Sequence, residues 1–278
     1  MKILAKVVRR IALTAAILLL SAMVLLPFVW MVSTAFKRNN EILVYPPAIL
    51  PESFTLEHFR RIFSPDGEWR YFQNSLIATA VSTVTTLALA IPAAYSLGAH
   101  RFPRDFGRHI SVALLLLRFL PPFAVVIPLF SMVRSAGLLD SVWALVLVYT
   151  AFHLPLAIWI IEPAVRGIPR EIQEAALVDG ATPIQTMLRV TVPLLRPAVA
   201  TAAVFCTVFS WNEFFFSLVL TFDQARTYPV LINTFVTDAG PEWGLIAASA
   251  LLAAIPVIVF CVFMQRHLIR GLTAGSVK

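Results

Sequence analysis

Residues 169–197 read PREIQEAALVDGATPIQTMLRVTVPLLRP, and the reading of the whole chain turns on them. Long uncharged apolar runs lie on both sides, whereas this segment carries Arg170, Glu171, Glu174, Asp179, Arg189 and Arg196. Its punctuation predicts two short helices. Pro169 suits the first helical position, and Gly180 suits the left-handed residue just past a helix end. Thr182 precedes Pro183 and Gln185, a T-x-x-Q capping box that starts a second helix at Pro183. Pro193 and Pro197 oppose its continuation, so the chain re-enters an apolar run at about Ala198. On the first helix Ile172, Ala175, Ala176 and Asp179 fall at i, i+3, i+4 and i+7 spacing, a narrow stripe of small side chains beside a carboxylate. Two readings fit that stripe. One is a helix that docks into a cleft, its small residues letting another surface approach the backbone; the other is a solvated, ordinarily capped connection.

Composition narrows the setting. The chain has 278 residues, 59% of them hydrophobic and only 13% charged, and its mean hydropathy is +0.83. Soluble chains carry about 25% charged residues, and a soluble domain of this size could not hide so much apolar surface. The composition therefore predicts an integral membrane protein. A net charge of +7 would suggest nucleic acid for a soluble chain, but here its distribution over loops matters more and no nucleic-acid partner is expected. Cys206 and Cys261 both fall inside apolar runs, with no C-x-x-C or metal-ligand spacing, and read as packing residues. No cluster of His, Asp or Cys has catalytic spacing. No G-x-x-x-x-G-K-[ST] phosphate loop is present either, so the chain is expected to bind no nucleotide or other cofactor itself.

Six membrane spans are predicted, at about 12–34, 74–98, 110–133, 141–161, 198–222 and 244–265. The first follows Lys2, Lys6, Arg9 and Arg10 but is too long for a signal peptide's apolar region and lacks a clear small-residue cleavage site, so it is read as retained. Between the first two spans, FTLEHFRRIF (Phe54 to Phe63) places Leu56, Phe59 and Phe63 at helical spacing, as in an amphipathic surface helix. The third span is interrupted by Arg118 and by Pro121, Pro122 and Pro128. Lys and Arg number 14 on the side of both termini and the 162–197 loop against 7 on the other, so that side is predicted to be cytoplasmic.

Two ionisable residues fall at bilayer depth, where a charge is costly and is usually turned toward water or a partner. Glu213 lies in SWNEFFFSL beside Trp211, Asn212 and Phe214. Rings that stack on C–H faces, next to amide and carboxylate groups that take hydroxyls, are chemistry suited to sugars. A structural hydrogen bond from Glu213 or Asn212 to a neighbouring helix fits the same residues. Arg118, just before Pro121 and Pro122, could face a cavity, satisfy carbonyls freed at the kink, or snorkel. His153, before Pro155, reads as a packing or hydrogen-bonding residue.

The segment EAALVDGATPIQTMLRVTVPLLRP resembles the EAA loop of ABC importer permeases. Glu174, Ala175, Ala176 and Gly180 stand at the pattern's positions, and Val192-Pro193 stands where Leu-Pro is usual. W-N-E-F resembles a run found in carbohydrate-importer permeases, and the ending R-G-L-T-A-G-S-V-K resembles that of the MalG-type members of the carbohydrate uptake family. The resemblance implies an all-α integral membrane protein: one transmembrane permease domain over 1–278, with six helices, a coupling loop at 162–197 between spans four and five, and a tail at 266–278. It implies a subunit of an ATP-driven, binding-protein-dependent sugar importer of the bacterial inner membrane, not an enzyme, working by alternating access. A second homologous permease, two ATPase subunits that hold the ATP and Mg, and an extracytoplasmic solute-binding protein are the implied partners. Ile172, Glu174, Ala175, Ala176, Asp179 and Gly180 would couple to the ATPase. Gly271, Leu272, Thr273, Gly275 and Lys278 would contact it, and Trp211, Asn212, Glu213 and Phe214 are candidates for the substrate pathway. The rival expectation is an ion- or proton-coupled secondary carrier using Glu213 and Arg118.

Overall fold

The computed structural model describes residues 2–64, 69–99 and 106–274. In chain order its helices are α1 (Lys2–Ala35), α2 (Asn39–Ile42), α3 (Glu57–Ile62), α4 (Trp69–Ala99), α5 (Phe106–Leu117), α6 (Pro122–Ser135) and α7 (Val142–Arg166). They continue as α8 (Arg170–Val178), α9 (Pro183–Thr186), a π-helical turn (Met187–Thr191), α10 (Val192–Leu194), α11 (Arg196–Trp211), α12 (Phe215–Leu220) and α13 (Tyr228–Thr234). A two-stranded hairpin, β1 (Val236–Thr237) and β2 (Gly240–Pro241), precedes α14 (Trp243–Ala274). Contacts group the chain into two compact units, Met1–Trp69 with Ile232–Ile255, and Arg70–Leu231 with Pro256–Lys278.

Among the described residues, four helical segments are long and apolar enough to cross a bilayer unaided: Arg9–Ala35, Trp69–Ala99, Val142–Arg166 and Trp243–Met264. The residues expected to form the third and fifth spans do not form single long helices. The third is split between α5 and α6, because Pro121 and Pro122 withhold two backbone donors and Pro121 takes the extended N-cap conformation of α6. For the fifth, α11 has 16 residues, about 24 Å at 1.5 Å per residue, short of a hydrocarbon core of about 30 Å. After a break at Asn212–Phe214 comes α12, and on the other side the Pro183–Leu194 segment meets α11 at an 80° bend.

In the first unit Phe36 stacks on Phe54 with ring centroids 4.6 Å apart and packs against Phe59 at 5.1 Å. Lys37 is buried, its ammonium donating to the Ala48 carbonyl and lying over the Trp30 ring. The expected amphipathic helix is shorter, Glu57–Ile62. His58 and Ile62 are buried while Leu56 and Phe63 are exposed. The cause is a close approach: His58 Nε2 pairs with the Lys37 carbonyl at 2.9 Å, and its ring lies where a Cβ on Gly244 would sit. Arg61 and Glu242 form an ion pair at 2.6 Å.

The second unit is built on α4 and α7. The buried side of α4 carries Ser75, Ala78, Thr79, Ser82, Thr83, Thr86, Ala90 and Ala94, a small-residue stripe that lets a neighbouring helix approach closely. Ser82 meets Ser210 of α11 at 3.2 Å, and Thr83 meets Thr207 at 3.4 Å. Two apolar clusters lie along α7. One gathers Ala144, Leu145, Val148 and Tyr149 with Phe216 and Leu220. The other gathers Ile158, Ile161 and Val165 with Leu97, Leu195 and Ala202.

Candidate functional site

The 170–194 segment is assembled almost wholly by local chemistry. Pro169 is the N-cap of α8 rather than its first helical residue, in extended conformation at φ −54° and ψ 131°. At the other end Gly180 takes φ +87°, a conformation that costs glycine nothing sterically. Its N–H donates to the Leu177 carbonyl at 3.1 Å, and the Ala181 N–H reaches back to Ala176 at 3.0 Å. That paired pattern is a Schellman motif, closing α8 without help from another helix. Thr182 and Gln185 exchange bonds as expected: the Thr182 hydroxyl accepts from the Gln185 N–H at 3.3 Å, and the Gln185 amide oxygen accepts from the Thr182 N–H at 2.9 Å.

The result is a shaped helix that buries none of its residues within this chain. Glu174, Ala175 and Asp179 are exposed, and Ala176 is half-buried. Ile172, Leu177, Val178 and Ile184 stand in the open, Val178 at 87% exposure. An apolar ledge with carboxylates at Glu174 and Asp179 can accept a second surface. The stripe anticipated from spacing is therefore present on one folded element. Of the tail residues, Gly271, Leu272 and Thr273 belong to the last turns of α14, while Gly275 and Lys278 lie outside the described residues.

The W-N-E-F run sits at the break between α11 and α12. Glu213 accepts from the Phe216 N–H at 2.8 Å, the Ser217 N–H at 3.2 Å and the Tyr149 hydroxyl at 3.0 Å. It thus caps α12 and ties it to α7. Asn212 donates to the Val208 carbonyl at 2.8 Å, Phe214 is half-buried, and Trp211 is buried edge-on against Phe72 at 5.5 Å. Trp211 also lines, with Thr83, Thr207 and Phe260, a cavity of about 320 Å³. Arg118, in the break between α5 and α6, lies 4.6 Å over the Phe209 ring and donates to the Phe152 carbonyl at 3.4 Å. Buried His153 pairs with Ser210 through Nδ1 at 3.1 Å.

Two arrangements escape the sequence reading. Asp140, at φ +56°, gathers the backbone N–H groups of Phe222, Asp223, Gln224 and Ala225 on its carboxylate at 3.0–3.3 Å. Partial burial raises its pKa, but those four donors together outweigh burial and hold it below the ordinary carboxylate range. Glu162, buried near the end of α7, accepts from Ser111 of α5 and from Arg166. Its i,i+4 spacing to Arg166 is visible in sequence; its meeting with Ser111 is not.

Long apolar helices, a sharply bent apolar pair among the described residues, and a self-capped loop with an open ledge define a polytopic membrane protein of the permease type. The chain belongs to the family described as binding-protein-dependent transport system inner membrane component, which it matches over residues 86–274. It is 37% identical to the trehalose transport system permease protein SugB of Mycobacterium tuberculosis over 258 residues, 91% of this chain and 92% of that one. It is 35% identical over 253 residues to the diacetylchitobiose uptake system permease protein DasC of Streptomyces coelicolor, 91% of each chain. The fold is shared with a chain of a bacterial ABC transporter involved in import of the acidic polysaccharide alginate, at TM-score 0.77, 22% identity, and 93% and 96% coverage. The chain is a permease subunit of an ABC importer.

Proposed function

We propose that this permease carries a sugar, and that α8 is the coupling helix through which a separate ATPase drives it. The observation that carries the coupling reading is the state of α8, closed by its own backbone at its C-terminal end yet burying none of its residues. A rigid helix with Ile172, Ala175, Ala176 and Asp179 on one face has the form of a part that completes its packing in another protein's groove. The W-N-E-F run and the sugars named for the trehalose and diacetylchitobiose relatives support the substrate class.

In this reading one permease domain crosses the membrane six times, with α5–α6 and α11–α12 as its broken spans and both termini in the cytoplasm. It shares the pathway with a second homologous permease. Two ATPase subunits hold the ATP and Mg, and an extracytoplasmic binding protein delivers the sugar. Closure of the ATPase pair moves α8 and turns the cavity outward, which is alternating access by rigid-body motion. The last residues, Gly271 to Lys278, reach the ATPase dimer. ATP hydrolysis belongs to that partner.

Purification of the tagged chain from membranes tests this reading, with a single cysteine at Ala176 for cross-linking. The expected outcome is a second permease and an ATPase in the purified complex, with the cysteine joined to the ATPase. Uptake should require ATP and the binding protein and survive collapse of the membrane potential. Uptake by this chain alone that vanishes with the potential would instead establish the secondary-carrier mechanism.

A further inference from the structure

The two ends of the 170–194 loop enter the same packed cluster. On one side α7 leads through Gly167, Ile168 and Pro169 into α8, and Ile168 packs against the core formed by Ile158, Ile161 and Val165. On the other side the loop ends at Leu195, which is 1% exposed in that same cluster. A displacement of α8 is therefore applied to one place.

That place is locked to two further helices. Gly98 of α4 lies so close to α7 that a Cβ there would fall 2.7 Å from Val165 Cβ and 3.2 Å from the Glu162 carbonyl oxygen. From α5, Ser111 donates its hydroxyl to the Glu162 carboxylate, and it also contacts its own helix at Gly107 O, 3.0 Å away. The other Glu162 oxygen accepts from Arg166 Nε at 2.8 Å, one turn before α8 begins. Glu162 is 4% exposed and Ser111 is buried, while Arg166 reaches the surface, so removing either donor leaves a buried carboxylate short of a partner.

We propose that Glu162 is the positioning residue that makes the adjoining ends of α5 and α7 move as one body with the coupling loop, beside α4, which packs on α7 at Gly98. The inference rests on α8 being that coupling helix. Glu162 touches neither nucleotide nor substrate in this account. Its carboxylate fixes α5 to the segment that receives the push, so the push reaches a helix that leads directly into the Arg118 break. Without it, α8 still docks and the ATPase still cycles, but the stroke is partly lost between helices.

The test uses the full complex in proteoliposomes, measuring sugar imported per ATP hydrolysed, together with the Ala176 cysteine cross-link to the ATPase. Glu162→Ala is expected to keep the cross-link and ATP hydrolysis while the transport-to-hydrolysis ratio falls about tenfold, within the usual range of coupling between sites. Ser111→Ala, which removes one arm only, should lower the ratio about threefold. Glu162→Gln keeps an acceptor for Ser111 and should recover part of the Glu162→Ala loss. An unchanged ratio in a cross-linked Glu162→Ala complex overturns the proposal. Should that variant fail to assemble, an unchanged ratio in Ser111→Ala overturns it equally. Absence of the cross-link in the unsubstituted complex would instead overturn the coupling reading of α8, so the two failures are distinguishable.

Discussion

Two connections in this molecule solve opposite problems. The turn from α12 to α13 is finished by its own chain: four of its N–H groups converge on Asp140, and Asn74 donates to the carbonyls of Gln224 and Arg226 at 2.8 and 3.0 Å. Ser75 receives the Tyr228 N–H at 2.8 Å, and Arg70 pairs with Asp223 at 3.0 Å. Asp140 accepts a left-handed backbone to do this, a strain of about 1–3 kcal/mol that the surrounding bonds offset. The 170–194 loop satisfies its turns by local bonds but leaves Ile172, Leu177, Val178 and Ile184 open. The first connection buries Ala225, Thr227 and Tyr228 and leaves Phe222 exposed; the second buries Thr186 and Thr191 but no residue of α8. An α8 that holds its shape without burying its apolar side chains is what the proposed coupling role calls for.

The largest expected effect separates the two regions directly. Ala176→Trp places a bulky ring on the half-buried docking face of α8 and should lower uptake at least about fiftyfold, toward the upper range of intersite coupling. Its cost to the stability of the chain should be modest, about 1 kcal/mol, as for a typical single substitution. Gly180→Pro should abolish uptake as well, because proline cannot adopt φ +87°. Uptake assays paired with thermal unfolding of the purified chain check both outcomes. Normal uptake by Ala176→Trp would erase the contrast between the two connections.

Asp140→Ala is expected to reverse that pattern. Four backbone donors lose their acceptor, three of them on exposed residues and one on buried Ala225, and unfolding should become easier by about 1–2 kcal/mol. Uptake should fall only as far as folded protein is lost. The measurement is a thermal unfolding midpoint beside an uptake rate normalised to folded chain.

The same carboxylate predicts a pH dependence. Its folded pKa lies below the ordinary value, which is about 3.9 for Asp. A depressed pKa means that the unfolded chain binds the proton more readily, so the carboxylate's contribution is fully present above the ordinary value. It is lost as pH falls through the lower folded value. Asp140→Asn should therefore unfold at a lower temperature than the unsubstituted chain near neutrality, and the gap should close as the medium is acidified below the ordinary value. Unfolding midpoints across that range decide it, and a constant gap would deny the carboxylate this role.

What the sequence discloses divides along the same line. Gly180, Thr182, Pro183 and Gln185 act on neighbours within a few residues, so the loop's turns are readable in order and its first helix begins only one residue later than expected. Pro121 and Pro122 announce the break in the third span by the same local chemistry. The break at Asn212–Phe214 carries no proline or glycine. It exists because Glu213 offers its oxygens to the first N–H groups of α12 and to Tyr149, 64 residues away in sequence. Asp140 and Glu162 are likewise settled by partners more than 50 residues distant, and single-sequence periodicity has no access to such pairs. In FTLEHFRRIF the helix is legible but the inward turn of His58 is not, since its partners are the distant Lys37 carbonyl and Gly244.

The smallest effect examines whether the loop's rigidity matters apart from its surface. Thr182→Ala removes the hydroxyl that accepts the Gln185 N–H, worth about 1 kcal/mol at a helix start. The bond is exposed and its reciprocal, from the Thr182 N–H to the Gln185 side chain, survives. Amide hydrogen exchange should therefore quicken by about fivefold at Gln185 and its neighbours, the equivalent of that energy, without change around Asp140. If rigidity of the loop transmits the stroke, transport per ATP should fall by less than about twofold. If only the exposed side chains of α8 matter, faster exchange will leave that ratio untouched, and the local bonding would then serve folding alone.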